Sequence, residues 1–172
     1  MRWCPALLLL LACATPAVAQ GKTKVPQSVQ VLEVCEAFAT DNVLARENAE
    51  EQGWTIYEED GESPYVRFYS GEKDVPGIGY AEMTVLVEGY PGKIFGYCRV
   101  DISEPTGDAV AEIEPIDALE RYDGMTTKND DGMFGSFTGA DDPDTLLLAH
   151  LSETSLVIQL TVIKPQTDAV VP

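Results

Sequence analysis

Residues 80–103 read YAEMTVLVEGYPGKIFGYCRVDIS. Side chains along a strand alternate between two faces, so Ala81, Met83, Val85 and Val87 fall on one side of Tyr80–Glu88, with Glu82, Thr84, Leu86 and Glu88 on the other. From Ile94 to Ser103 the same alternation sets Ile94, Gly96, Cys98, Val100 and Ile102 against Phe95, Tyr97 and Arg99. The four residues between, Tyr90-Pro91-Gly92-Lys93, suit a type II turn: proline sets φ at the second position, and glycine takes the positive φ of the third. Two adjacent strands with one apolar face each describe an antiparallel sheet packed on one side.

On the N-terminal side, Trp54–Glu59 and Tyr65–Ser70 flank the turn formers Asp60-Gly61-Glu62-Ser63-Pro64 and read as a hairpin. On the C-terminal side, Met133–Thr138, Thr145–Leu151 and Ser155–Lys164 read as strands, the last two joined by Ser152-Glu153-Thr154. Val29–Gln52 reads as one long helix stopped by Gly53, with Val31, Val34, Cys35, Phe38, Asn42, Ala45 and Ala49 at helical spacing. Thr106–Tyr122 reads as a second helix, in one or two pieces. Thr106 or Asp108 would cap it, Ala109, Ile113, Ile116 and Leu119 form its apolar side, Pro115 kinks it or starts a new piece, and Asp123-Gly124 ends it. The expected fold is α+β: a single domain over residues 29–164, with a mainly antiparallel sheet of about five to seven strands. A long N-terminal helix and a shorter second helix pack on one face. Residues 20–28 read as a tether and 165–172 as a flexible tail.

The start of the chain has the three-part layout of a secretory signal peptide. Arg2 supplies the charge, Ala6–Ala14 the apolar run, and Ala17-Val18-Ala19 the small residues that place cleavage after Ala19. A second reading takes Leu10-Leu11-Ala12-Cys13 as a lipoprotein box, with Cys13 lipidated. Either way the protein is expected outside the cytoplasm, in the periplasm or the extracellular space. The apolar run is far short of the roughly 20 residues that cross a bilayer, so no transmembrane segment is expected in the mature protein.

Over 172 residues, 45% are hydrophobic and 23% charged, a globular composition. Eleven Lys and Arg face 29 Asp and Glu, a net charge of −18, and loss of residues 1–19 removes only Arg2 among the charged groups. Such a field repels phosphate backbones, which excludes nucleic acid, and favours cationic proteins or peptides.

Of the four cysteines, Cys4 and Cys13 lie in the export segment, leaving Cys35 and Cys98 to pair in an oxidising compartment. One sits on the apolar face of the first helix and the other on the apolar face of a central strand, so both sulfurs point into the same core. Their spacing is nothing like Cys-x-x-Cys, and His150 alone does not complete a thiolate zinc site.

Three further groups bear on function. Asp130 and Asp131, with Asp141, Asp142 and Asp144, are carboxylates in turn sequences, the ligand type that calcium takes. Their spacing does not match an EF-hand, so the preferred reading is turn capping and no cofactor is expected. Trp54, Tyr57, Tyr65, Tyr69, Phe95 and Tyr97, with Arg99, form an aromatic-rich set suited to stacking on sugar rings or holding a cationic peptide. His150 lies in the apolar run Leu147–Leu151, where a structural histidine is expected, and the chain has neither a Gly-x-Ser-x-Gly elbow nor His-Glu-x-x-His. The expected role is therefore non-catalytic: an exported acidic domain that binds an envelope component through the free face of its sheet. A carbohydrate or cell-wall glycan module and an Asp/Glu-dependent hydrolase are the alternatives.

Overall fold

The computed structural model describes residues 25–59, 65–106 and 110–165, the side chains of 58, 59 and 110 excepted. The proposed cleavage site, the Cys13 lipid site, most of the tether and residues 166–172 of the tail lie outside them. Eight strands form one antiparallel sheet: β1 (Thr55–Glu59), β2 (Val66–Val75), β3 (Gly79–Tyr90), β4 (Lys93–Ser103), β5 (Tyr122–Asn129), β6 (Gly132–Gly139), β7 (Thr145–Leu151) and β8 (Ser155–Pro165). Across the sheet they run β1-β2-β3-β4-β8-β7-β6-β5, so two four-stranded meanders meet where β4 pairs with β8. Helices α1 (Gln27–Ala39), α2 (Ala45–Glu51) and α3 (Val110–Asp117) complete the fold.

The alternation read from residues 80–103 sets the core. Ala81, Met83, Val85 and Val87 of β3 are buried beside Cys98, Val100 and Ile102 of β4, which in turn adjoin Leu156, Ile158, Leu160 and Val162 of β8. Gly92 in the turn between β3 and β4 has φ +77°, as the turn sequence requires. Against this face α1 lies over β3, β4 and β8, α2 lies by β1, and α3 lies by β5, β6 and β7. Cys35 of α1 and Cys98 of β4, both fully buried, form the disulfide that ties the helix to the middle of the sheet. Gly96 lets the end of α1 come down beside it, because a Cβ there would run into the carbonyl group of Ala39. At the other end of α1, the Glu112 carboxylate of α3 accepts the Ser28 backbone N–H at 3.0 Å, satisfying a donor that the helix leaves open.

The single long helix expected over Val29–Gln52 is two. After Ala39 the chain closes a Schellman motif, in which Asp41 N–H donates to Phe38 O (3.0 Å) and Asn42 N–H to Ala37 O (3.1 Å), with Asp41 at φ +58°. Asn42 Oδ1 then accepts the Leu44 N–H at 2.9 Å, and the Asp41 carboxylate pairs with Arg67 of β2. Asp and Asn tolerate this left-handed turn better than most residues. The apolar spacing survives the break, since Val31, Val34, Cys35, Phe38, Ala45 and Ala49 are all buried while Asn42 is exposed. A second Schellman motif at Gly53 (φ +87°) ends α2 at the glycine the sequence marks.

The second helix is also shorter than expected. It contains Pro115 and stops at Asp117, and Tyr122, Asp123 and Gly124, assigned to the helix end and its stop, begin strand β5. Thr106 donates both its N–H and its hydroxyl to Ile78 O in the turn between β2 and β3, and the other cap candidate, Asp108, lies outside the described residues. β5 is an edge strand with only Tyr122 buried, so it carries almost no apolar alternation and is held by its pairing with β6. Among the described residues the strand count is thus eight, one above the expected range. Pro165, placed in the tail by the sequence, pairs with Lys93 at the end of β8.

Candidate functional site

Every strand sends its other side chains to a face that no helix covers among the described residues. On the β1–β4 half this open face carries Tyr57, Glu72, Tyr80, Glu82, Arg99 and Asp101, placed there by the alternation that buries Ile56, Gly71, Ala81 and Cys98. The register sets Glu72 directly across from Glu82, and Glu82 across from Asp101. Three carboxylates therefore stand in line on neighbouring strands, where like charges repel.

Their partners differ. Arg99 holds Asp101 in a two-pronged ion pair, Nε to Oδ2 at 2.7 Å and Nη2 to Oδ1 at 2.6 Å. That carboxylate holds the arginine pKa above its usual value. Glu72 accepts two phenol hydrogen bonds, from Tyr80 at 2.6 Å and Tyr57 at 2.9 Å, which pull its pKa below the ordinary glutamate value. Reciprocally the Tyr80 phenol is pushed up to about 12, mainly by its hydrogen bond to Glu72, and Tyr57 is raised for the same reason. Glu82 has no hydrogen bond or ion pair among the described residues. Glu72 and Glu82 thus face each other, the first holding both phenols, with the nearby Arg99 already engaged by Asp101.

The basic residues of the strands lie mostly on the other side, which also carries the carboxylates of α1, α2 and α3. The pairings place Arg67, Lys73, Lys128 and Lys164 in the rows that face the helices, and leave Lys93 and Arg99 on the open face. Asp74 and Glu88 add to the acidic side of the balance.

The aromatic set expected from the sequence is divided between the two faces. Tyr57, Phe95, Tyr97 and Arg99 lie on the open face, whereas Trp54 is only 3% exposed on the helix side, with the Lys73 ammonium 5.7 Å from its ring centroid. Tyr69 is also on the helix side, packed on Phe38 with ring centroids 5.5 Å apart. Neither is available to a ligand of the open face. Tyr65 precedes β2 and is exposed, its carbonyl accepting the Gly89 N–H.

The acidic set is likewise not one cluster. Asp130 and Asp131 form the turn between β5 and β6, where Asn129 Oδ1 accepts the Asp131 N–H. Asp141, Asp142 and Asp144 lie at the opposite end of β6, where Asp142 accepts from the Asp144 N–H and the Thr145 hydroxyl. The two groups are separated by the length of a strand, and the carboxylate of Asp142 is spent on its own turn. No group of three or more potential metal ligands converges among the described residues.

Sequence reasoning did not single out Glu72 or Asp101, nor the apolar residues on the outer face of the second meander, Phe134, Leu146, Leu148 and Val157. The available signal was the phase of alternation: each is out of step with the buried side chains of its strand. His150 belongs to that outer face too, half-buried and 6.2 Å from the Phe134 ring. Cavities of about 290 and 220 Å³ lie by α1 and α2, one against Glu33, Ala37 and Asn48, the other against Phe38, Asp41 and Arg67. Both are on the helix side of the molecule, away from the carboxylate row. Comparison with known proteins returns no match, whether to a family model, a curated protein or a solved structure.

Proposed function

We propose that the protein is an exported, non-catalytic binding domain whose open sheet face takes a cationic protein or peptide. The observation that carries this reading is the facing pair of carboxylates on the open face, Glu72 and Glu82. With the nearby Arg99 held by Asp101, they oppose each other across β2 and β3 with no ion pair to either among the described residues. An ammonium or guanidinium group seated between them would relieve that repulsion, and the flanking phenol rings offer it π faces. Export is supported by the charged, apolar and small-residue layout of residues 1–19 and by the Cys35–Cys98 disulfide, which suits an oxidising compartment.

The test is fluorescence anisotropy with a labelled oligolysine peptide, titrated at low and high salt. Binding should weaken as salt rises and fall in a Glu72→Gln/Glu82→Gln variant, while an oligoglutamate peptide should not bind. Absence of binding, or binding indifferent to salt, would overturn the reading. A glycan-binding role is favoured by one observation, the exposure of the Tyr57 and Tyr80 rings (46% and 43%). Titration with cell-wall fragments decides it, through loss of binding on Tyr57→Ala or Tyr80→Ala.

A further inference from the structure

The open face is not uniform. Followed across the strands, one line of directly opposed residues runs Glu72, Glu82, Asp101, Val157, His150, Phe134. Its first three members are carboxylates on β2, β3 and β4; its last three are apolar or aromatic on β8, β7 and β6. Beside the apolar end stand Leu148 and Leu146, two and four residues before His150 on the same face of β7. Phe134 is 45% exposed, Leu146 40%, and Met125 on the neighbouring edge strand 71%. The solvated face of an antiparallel sheet is ordinarily polar, so these apolar residues, set among Ser136, Thr138, Gln159 and Thr161, mark a surface that is covered in use. Phe68, Leu86, Phe95 and Tyr97 lie on the same face further along β2–β4.

From these two halves we infer that the occupant is one segment, basic at one end and apolar at the other, laid across the strands. This rests on the cationic-partner reading above and deepens it by giving the partner's pattern. Glu72 and Glu82 receive the basic end, since they are the carboxylates of the line without a cation. Asp101, already held by Arg99, marks the boundary. Val157, Phe134, Leu146 and Leu148 receive the apolar end. Six strands spaced at about 4.8 Å span roughly 24 Å, the length of a helix of about 16 residues. A second copy of this chain fits poorly as the occupant, because it brings a net charge of −18 to a face that is itself acidic.

The experiment compares three labelled helical peptides of about 16 residues by anisotropy. One has Lys in its first half and Leu in its second, one has the same residues shuffled, and one keeps the Lys block with every Leu replaced by Ser. The block peptide is expected to bind about tenfold or more tighter than either of the others. Phe134→Ser/Leu146→Ser should remove that advantage and leave salt dependence intact, whereas Glu72→Gln/Glu82→Gln should weaken binding and flatten its salt dependence. All four positions are exposed or half-buried, so the variants should remain folded, which their circular-dichroism melts check. If the shuffled or Ser peptide binds as tightly as the block peptide, the bipartite arrangement is wrong and the cationic reading stands. If no basic peptide binds, both are wrong. If the chain sediments as a dimer that Phe134→Ser/Leu146→Ser dissolves, a second copy covers this face and the inference is overturned.

Discussion

Removing the Cys35–Cys98 bridge should destabilise the protein by about 4 kcal/mol while sparing its binding surface. The two residues are 63 apart in sequence. For a closed loop of that length, the lost chain entropy is roughly 14 cal/mol/K, or about 4 kcal/mol at 25 °C. Unfolding the roughly 130 described residues, at about 2.1 cal/mol/K each, carries an entropy near 0.3 kcal/mol/K, so the melting temperature should fall by roughly 15 °C. Circular-dichroism melts of the oxidised wild type, the reduced wild type and Cys35→Ala/Cys98→Ala make the measurement. The reduced wild type keeps both sulfurs, so its difference from the double variant isolates packing from the cross-link. Both sulfurs lie beneath α1, on the opposite side of the sheet from Glu72 and Glu82, and oligolysine binding by the folded, reduced protein should therefore be unchanged. A reduced wild type that melts within about 3 °C of the oxidised one would refute the entropic argument. Lost binding in a still-folded reduced protein would refute the separation of the two faces.

Gly96→Ala should cost about 2–3 kcal/mol, since its Cβ meets the Ala39 backbone rather than a movable side-chain tip; a urea midpoint equal to wild type would show that α1 does not pack as described. In an ultraviolet tyrosinate titration, Tyr80→Phe should delete one phenol with a midpoint of about 12, and Glu72→Gln should bring that phenol back towards 10; the Tyr80–Glu72 hydrogen bond would be disproved if neither changed the curve. Because the raised Tyr80 pKa reflects the neutral phenol donating to Glu72, its contribution is present below pH 10 and disappears as pH rises through about 12. Glu72 has the opposite sign, with a pKa held below 4.5, so its charge persists under the ordinary glutamate range and is lost only as pH falls through that depressed value. Oligolysine affinity in a Glu82→Gln background, where Glu72 alone of the facing pair can ionise, should follow that acid limb, and an affinity that collapses above pH 4.5 would contradict it.

What the sequence determined by itself is local and periodic. Alternation over Tyr80–Glu88 and Ile94–Ser103 identified two central strands and their buried sides, Pro91-Gly92 identified their turn, and Gly53 the end of a helix. The cysteine count, joined to the two apolar faces, identified the disulfide. The break at Asp41-Asn42 escaped because the buried positions keep step across it, so the apolar pattern contains no trace of the turn. β5 escaped because an edge strand with one buried residue has nothing for periodicity to report. The candidate site was decided by tertiary structure alone. Alternation says that Glu72 and Glu82 each point away from a buried neighbour, but not that pairing sets them opposite one another, nor that Tyr57 and Tyr80 reach the same carboxylate. It also leaves undecided that Trp54 and Tyr69 go under the helices while Phe134, Leu146 and Val157 line up beyond Asp101. Periodicity gives each strand two sides; the partner and register that bring sides together from distant segments are settled only when the sheet closes on its shared core.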